Sequence, residues 1–165
     1  MPPQALFGIS VAFAFVAWGV FTAQYLWPEL RRRSRVEALR PLLILHSFRF
    51  IGLAFLVPGV VAPELSSAFA HSAAYGDLIA AVLALVALMM LRSRLGTLCV
   101  WVFNVWGSAD LLYAFYLGNS VELEAGQLGA TYFILTVIVP LLLITHWVVF
   151  RVLLQRDRLT TSRDD

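Results

Sequence analysis

The sequence predicts an all-α bundle of five helices that cross a membrane, and three observations carry that prediction. Hydrophobic residues fill 61% of the 165 positions, against roughly 45–50% in soluble domains, and the mean hydropathy is +0.83. The apolar residues fall into five runs, each close to the roughly 20 residues that span a bilayer core of about 30 Å. Arginines gather at every second connection between the runs. A soluble core cannot absorb that much apolar surface. In lipid, helices are the elements that satisfy their own backbone groups within one segment.

The first run extends from Leu6 to Trp27. A secretory signal carries its positive charges ahead of the apolar core, whereas Arg31, Arg32, Arg33 and Arg35 follow this one, so it reads as an anchor. The second run, Leu42 to Ala62, comes after a connection holding those four arginines and Arg40. Pro58 and Gly59 are expected to kink it near its far end. The third run, Ala73 to Leu91, is preceded by a connection without arginine, to which Glu64, His71 and Asp77 are assigned. The fourth, Thr97 to Leu117, follows Arg92 and Arg94. The fifth, Ala130 to Phe150, follows Glu122 and Glu124 and is interrupted by Pro140. One domain over residues 1–155 is expected, with a short polar cytoplasmic tail over 156–165.

Charge sets the expected orientation. Eleven of the twelve arginines lie in the first and third connections or after the fifth run. The positive-inside rule then puts the N-terminus outside and the C-terminus in the cytoplasm. The twelve basic residues are all arginine, which suits a GC-rich bacterial genome and a bacterial cytoplasmic membrane. Tyr25, Trp27, Trp101 and Trp147 near the inner edge, and Tyr75, Tyr113, Tyr116 and Tyr132 toward the outer one, read as interfacial anchors.

Several functions are excluded by inventory. Cys99 is alone, so no internal disulfide or thiolate metal cluster exists. The basic residues flank apolar runs instead of forming a nucleic-acid surface. There is no His-x-x-x-His pair, no Gly-rich phosphate loop and no nucleophile with a base and an orienting carboxylate. No catalytic residue or metal ligand is therefore assigned.

Ionisable groups within the runs are costly to insert, at about 2.5–3.5 kcal/mol for a mid-helix arginine, and so point to function. They are His46, Arg49, Asp110 and His146, with Asn104 as a polar companion. Counting from the flanking arginines at about 1.5 Å per residue places His46 and His146 at one depth, and Arg49 and Asn104 just beyond. Asp110 falls about 10 Å further out, nearer Tyr132 and Thr136. His46 and Arg49, three residues apart, share a helix face. These five residues form the candidate ligand site.

Three functional readings follow. In the first, a non-catalytic binder holds a lipidic or anionic small molecule through the His/Arg/Asn cluster. In the second, His46 and His146 are axial ligands of a b-type haem, with Arg49 pairing a propionate. In the third, the chain is a structural subunit whose small-residue faces, such as Gly8/Ala12 and Gly19/Ala23, receive a partner helix.

Overall fold

The computed structural model describes residues 1–155; the tail expected over 156–165 lies outside the described residues. The chain is helical, without a strand among the described residues, and five helices are long and apolar enough to cross a membrane. They are α1 (Pro3–Leu30), α2 (Arg35–Leu56), α3 (Ser67–Met90), α4 (Gly96–Ser120) and α5 (Ile134–Leu154). Buried residues make up 39%, 44%, 28% and 50% of the apolar windows of α2 to α5, but only 6% of that of α1. The core therefore belongs to α2–α5, with α3 against both α2 and α4, and α1 lies along the outside of α5.

The second helix begins seven residues before the expected start. Ser34 Oγ accepts from the Glu37 backbone N–H at 3.4 Å, and the Glu37 carboxylate accepts from the Ser34 N–H at 3.2 Å. This reciprocal cap nucleates a helix at Arg35, so Arg35 and Arg40 sit on α2 instead of in a loop. Its far end also differs from expectation. Val57 is extended, as a residue before proline prefers to be, and Gly59 has φ +80°. Pro58 and Gly59 therefore make a turn after the helix and do not kink it.

Inside α2, the α-helical stretch Arg35–Ser47 passes into a 3-10 segment, Phe48–Leu56. With three residues per turn, side chains three apart eclipse one another. Arg49, Gly52 and Phe55 are accordingly all buried, whereas Phe48, Phe50 and Ile51 point outward. The helix thus holds one column of side chains against its neighbours.

Two π-helical segments share a local cause. Thr22–Leu26 precedes Pro28 in α1, and Ile134–Ile138 precedes Pro140 in α5. A proline ring collides with the carbonyl four residues back and offers no N–H; a widened turn relieves the collision. Trp18 Nε1 donates to Val137 O at 3.0 Å, linking α1 to the widened turn of α5.

The third helix starts at Ser67, so His71, which is exposed, lies on a helix instead of in a loop. Asp77 is likewise inside α3 and buried. Arg31–Arg33, Arg92 and Arg94 occupy the turns at one end of the bundle, with Arg151 over the rings of Trp27 and Trp147 at 5.3 and 5.2 Å. At the other end the connections clasp each other through Ala130 N to Val60 O at 2.9 Å and Ala62 N to Gln127 O at 3.0 Å. Gly129, at φ +51°, would drive a Cβ into the Val60 carbonyl.

An apolar cluster around Leu39, Leu43, Val100, Phe103, Val148 and Val149 fills the arginine-rich end. A second, around Phe55, Phe69, Ala74 and Leu128, fills the opposite end. Between them every one of α2–α5 contributes a buried polar side chain.

Candidate functional site

Arg49 is the hub of that layer and is 1% exposed. Its Nε donates to Asp77 Oδ1 at 2.7 Å. Nη1 donates to Gly107 O at 3.1 Å and to His146 Nε2 at 3.2 Å. Nη2 donates to Asp110 Oδ2 at 2.6 Å and lies 2.7 Å from Asp77 Oδ1. Every guanidinium nitrogen is engaged, by partners from α3, α4 and α5.

An arginine donates and never accepts, so His146 must accept through Nε2 and carry its proton on Nδ1. That proton goes to Asn104 Oδ1 at 2.7 Å, and Asn104 Nδ2 donates to the His146 carbonyl at 3.3 Å. Asn104 thus fixes both the ring and the backbone of His146. His46 pairs through Nε2 with Thr145 Oγ1 at 3.0 Å, while its Nδ1 is buried and has no hydrogen-bond partner among the described residues. The two imidazoles lie with centroids 4.2 Å apart, and Phe103 covers both, at 5.1 and 5.3 Å.

Three glycines admit this cluster. A Cβ on Gly52 would collide with the Asp77 carboxylate and one on Gly76 with the Asp110 carboxylate. A Cβ on Gly107 would come within 2.7 Å of His146 Nε2 and 2.8 Å of Arg49 Nη1. Charged groups and close helix approach therefore depend on each other, since the carboxylates occupy volume that any larger residue would fill.

All five residues expected from the sequence, His46, Arg49, Asn104, Asp110 and His146, belong to one connected layer. One position pairs otherwise than its depth alone suggests. Asp110 does not associate with Thr136 and Tyr132, because the long arginine side chain spans the gap to it. Thr136 instead donates to Tyr132 O at 2.8 Å, and the Tyr132 hydroxyl is 3.0 Å from Ser10 Oγ. Asp77 was missed, being grouped with the connection before α3. Its signal was available: Ala73, Asp77, Ala80, Ala84 and Ala87 follow a four-three spacing and are all buried. Thr145 and Gly107 were missed as partners because their roles are made by contact across helices.

Two chemical consequences follow. The guanidinium has no nitrogen left for an anionic head group, and it already faces two carboxylates. The rings of His46 and His146 are in contact, whereas two axial imidazoles with an iron between them have centroids about 6 Å apart, given Fe–N bonds near 2 Å. A haem at these ligands requires α2 and α5 to separate.

Beyond the polar layer lies a cavity of about 250 Å³. Phe7, Phe69, Leu111, Ala114, Leu135 and Val139 line it, and Gln4 and Asn119 are polar groups of its wall. Leu111 follows Asp110 directly, and with Val139 and Leu142 it forms a small apolar cluster. Leu142 precedes Thr145 by three residues, so this cluster lies between cavity and imidazoles. Gln4 closes one side, donating to Leu123 O at 2.9 Å and accepting from Ala125 N at 3.0 Å.

No curated protein and no solved structure matches the chain. A family model does match, over residues 6–154, from the first turn of α1 to the end of α5, and the chain belongs to that family, described as Domain of unknown function (DUF8737).

Proposed function

We propose that the chain is a multi-pass protein of a bacterial cytoplasmic membrane that binds a lipidic small molecule without transforming it. The observation that supports this reading is the cavity of about 250 Å³ with its mainly apolar wall. Ligand sites are concave, mostly apolar and furnished with a few polar groups; here Asn119, whose Nδ2 donates to Phe115 O at 3.2 Å, leaves its Oδ1 for a head group. The ligand contact thus shifts from the His46, Arg49, Asn104, Asp110 and His146 cluster to the adjacent cavity, because Arg49 is saturated within the protein. The cluster holds α2–α5 together beneath it. Mass spectrometry of an organic extract of the purified chain is expected to find one enriched lipid species, lost on Ala114→Phe, which fills the cavity. An extract identical for the two proteins counts against this reading.

Within the same reading the arginine-rich end faces the cytoplasm and the N-terminus lies outside. An alkaline phosphatase fusion near Glu122 should be active and one near Arg94 silent; the opposite pattern reverses the orientation. A structural-subunit reading draws on α1, whose Gly8 and Gly19 have nothing within 4 Å of a built Cβ. Extraction in mild detergent as a monomer would remove it. The haem reading is tested by the Soret region of protein made under haem-replete conditions, where a flat spectrum removes it.

A further inference from the structure

We propose that the Arg49–Asp77–Asp110 network binds one exchangeable proton, held on a carboxyl oxygen of Asp110. The inference rests on charge balance in a dry layer and is independent of the lipid reading. One guanidinium faces two carboxylates, at 2.7 and 2.6 Å, so with both ionised the network carries a net charge of minus one. An uncompensated charge in a low-dielectric interior is expensive, and the group neutralises instead.

The surrounding groups supply no second cation. From α2, Arg49 is already counted, and His46 contacts Thr145, His146 and Phe103 but no carboxylate. A charged His46 would also bury an unpartnered Nδ1–H. From α5, His146 accepts from Arg49 through Nε2 and is therefore neutral. From α4, Asn104 and the Gly107 carbonyl are uncharged. From α3, Asp77 is itself one of the two acids.

Geometry selects Asp110 as the carrier. Asp77 Oδ1 is held by two guanidinium nitrogens, both at 2.7 Å, whereas Asp110 accepts one, through Oδ2. Asp110 Oδ1 lies against Gly76 and takes no hydrogen bond among the described residues. The Asp77 and Asp110 side chains each keep 11% of their surface accessible while that of Arg49 keeps none, so the number of guanidinium contacts, and not exposure, separates the two acids. Binding is a reversible transfer from hydronium to the carboxylate, releasing water, and Arg49 stays charged throughout.

Infrared spectroscopy of the full chain in lipid nanodiscs tests this. The wild type should show the carbonyl stretch of a carboxylic acid at about pH 5, above the range in which an ordinary aspartate is protonated, shifting to lower frequency in deuterium oxide. Asp110→Asn should abolish the band. Asp77→Asn should abolish it too, because the guanidinium then balances the one remaining carboxylate. No such band in the wild type, or one that survives both substitutions, overturns the proposal. So does a band that appears only when sodium and potassium are replaced by tetramethylammonium, since an alkali cation would then be the occupant. Should Asp110→Asn fail to fold, the wild-type band, its isotope shift and Asp77→Asn still decide.

Discussion

The bundle contains two layers whose central side chains are equally buried and differently held. At the arginine-rich end Leu43, Val100, Phe103, Val148 and Val149 are wholly buried; one layer further along, His46, Asn104, Arg49 and His146 are 0–2% exposed. The same four helices contribute to both. The apolar layer is held by contact and volume alone, so a missing methyl group leaves a void and no unsatisfied charge. The polar layer is held by direction: the Arg49 nitrogens are matched to acceptors from three helices, and losing a partner strands a charge in a place that cannot solvate it. Equal burial therefore does not mean equal tolerance, and the polar layer is where one substitution does most harm.

The comparison is sharpened first by Arg49→Met. Both acids lose their guanidinium hydrogen bonds and the ionised one loses its cation, and a destabilisation of about 3–5 kcal/mol is expected, read from the unfolding midpoint in a denaturing-detergent titration. Leu43→Ala, from the apolar layer, opens a cavity without stranding a polar group; its cost falls within about 2–5 kcal/mol and should lie below that of Arg49→Met. An equal or larger loss at Leu43 would erase the distinction between the layers. Gly107→Ala pushes a methyl group against His146 and Arg49 and should cost about 1–3 kcal/mol as overpacking. Phe13→Ala serves as the control: Phe13 is 73% exposed on α1, and its loss should stay within about 0.5 kcal/mol.

The two layers also differed in how far they could be read in advance. Five apolar runs, alternating arginines and the short list His46, Arg49, Asn104, Asp110 and His146 come directly from hydropathy and from the cost of charge in lipid. Helix boundaries were less legible. Arg35 to Arg40 looked like a loop by charge, while the Ser34–Glu37 cap was strong enough to extend α2 through it. The 3-10 passage that aligns Arg49, Gly52 and Phe55 has no propensity signal, because neighbouring helices select it. Asp77 was hidden by grouping acids with the nearest connection, although its spacing from Ala73 and Ala80 marked it as facing inward. The glycines at 52, 76 and 107 acquire meaning only once the carboxylates and the imidazole that lie over them are placed.

Replacing the whole charged set at once tests most directly whether Arg49, Asp77 and Asp110 act as one mutually dependent unit. Thermal unfolding should be compared for Arg49→Met, Asp77→Leu and Asp110→Leu, singly and combined. Arg49→Met should lower the melting temperature most, because it leaves acid without a cation, Asp77→Leu less, because Arg49 and Asp110 still balance, and the triple variant, which leaves no charge unpaired, should return close to the wild type. An Arg49→Met variant as stable as the wild type, or a triple variant no better than Arg49→Met, would contradict that mutual dependence.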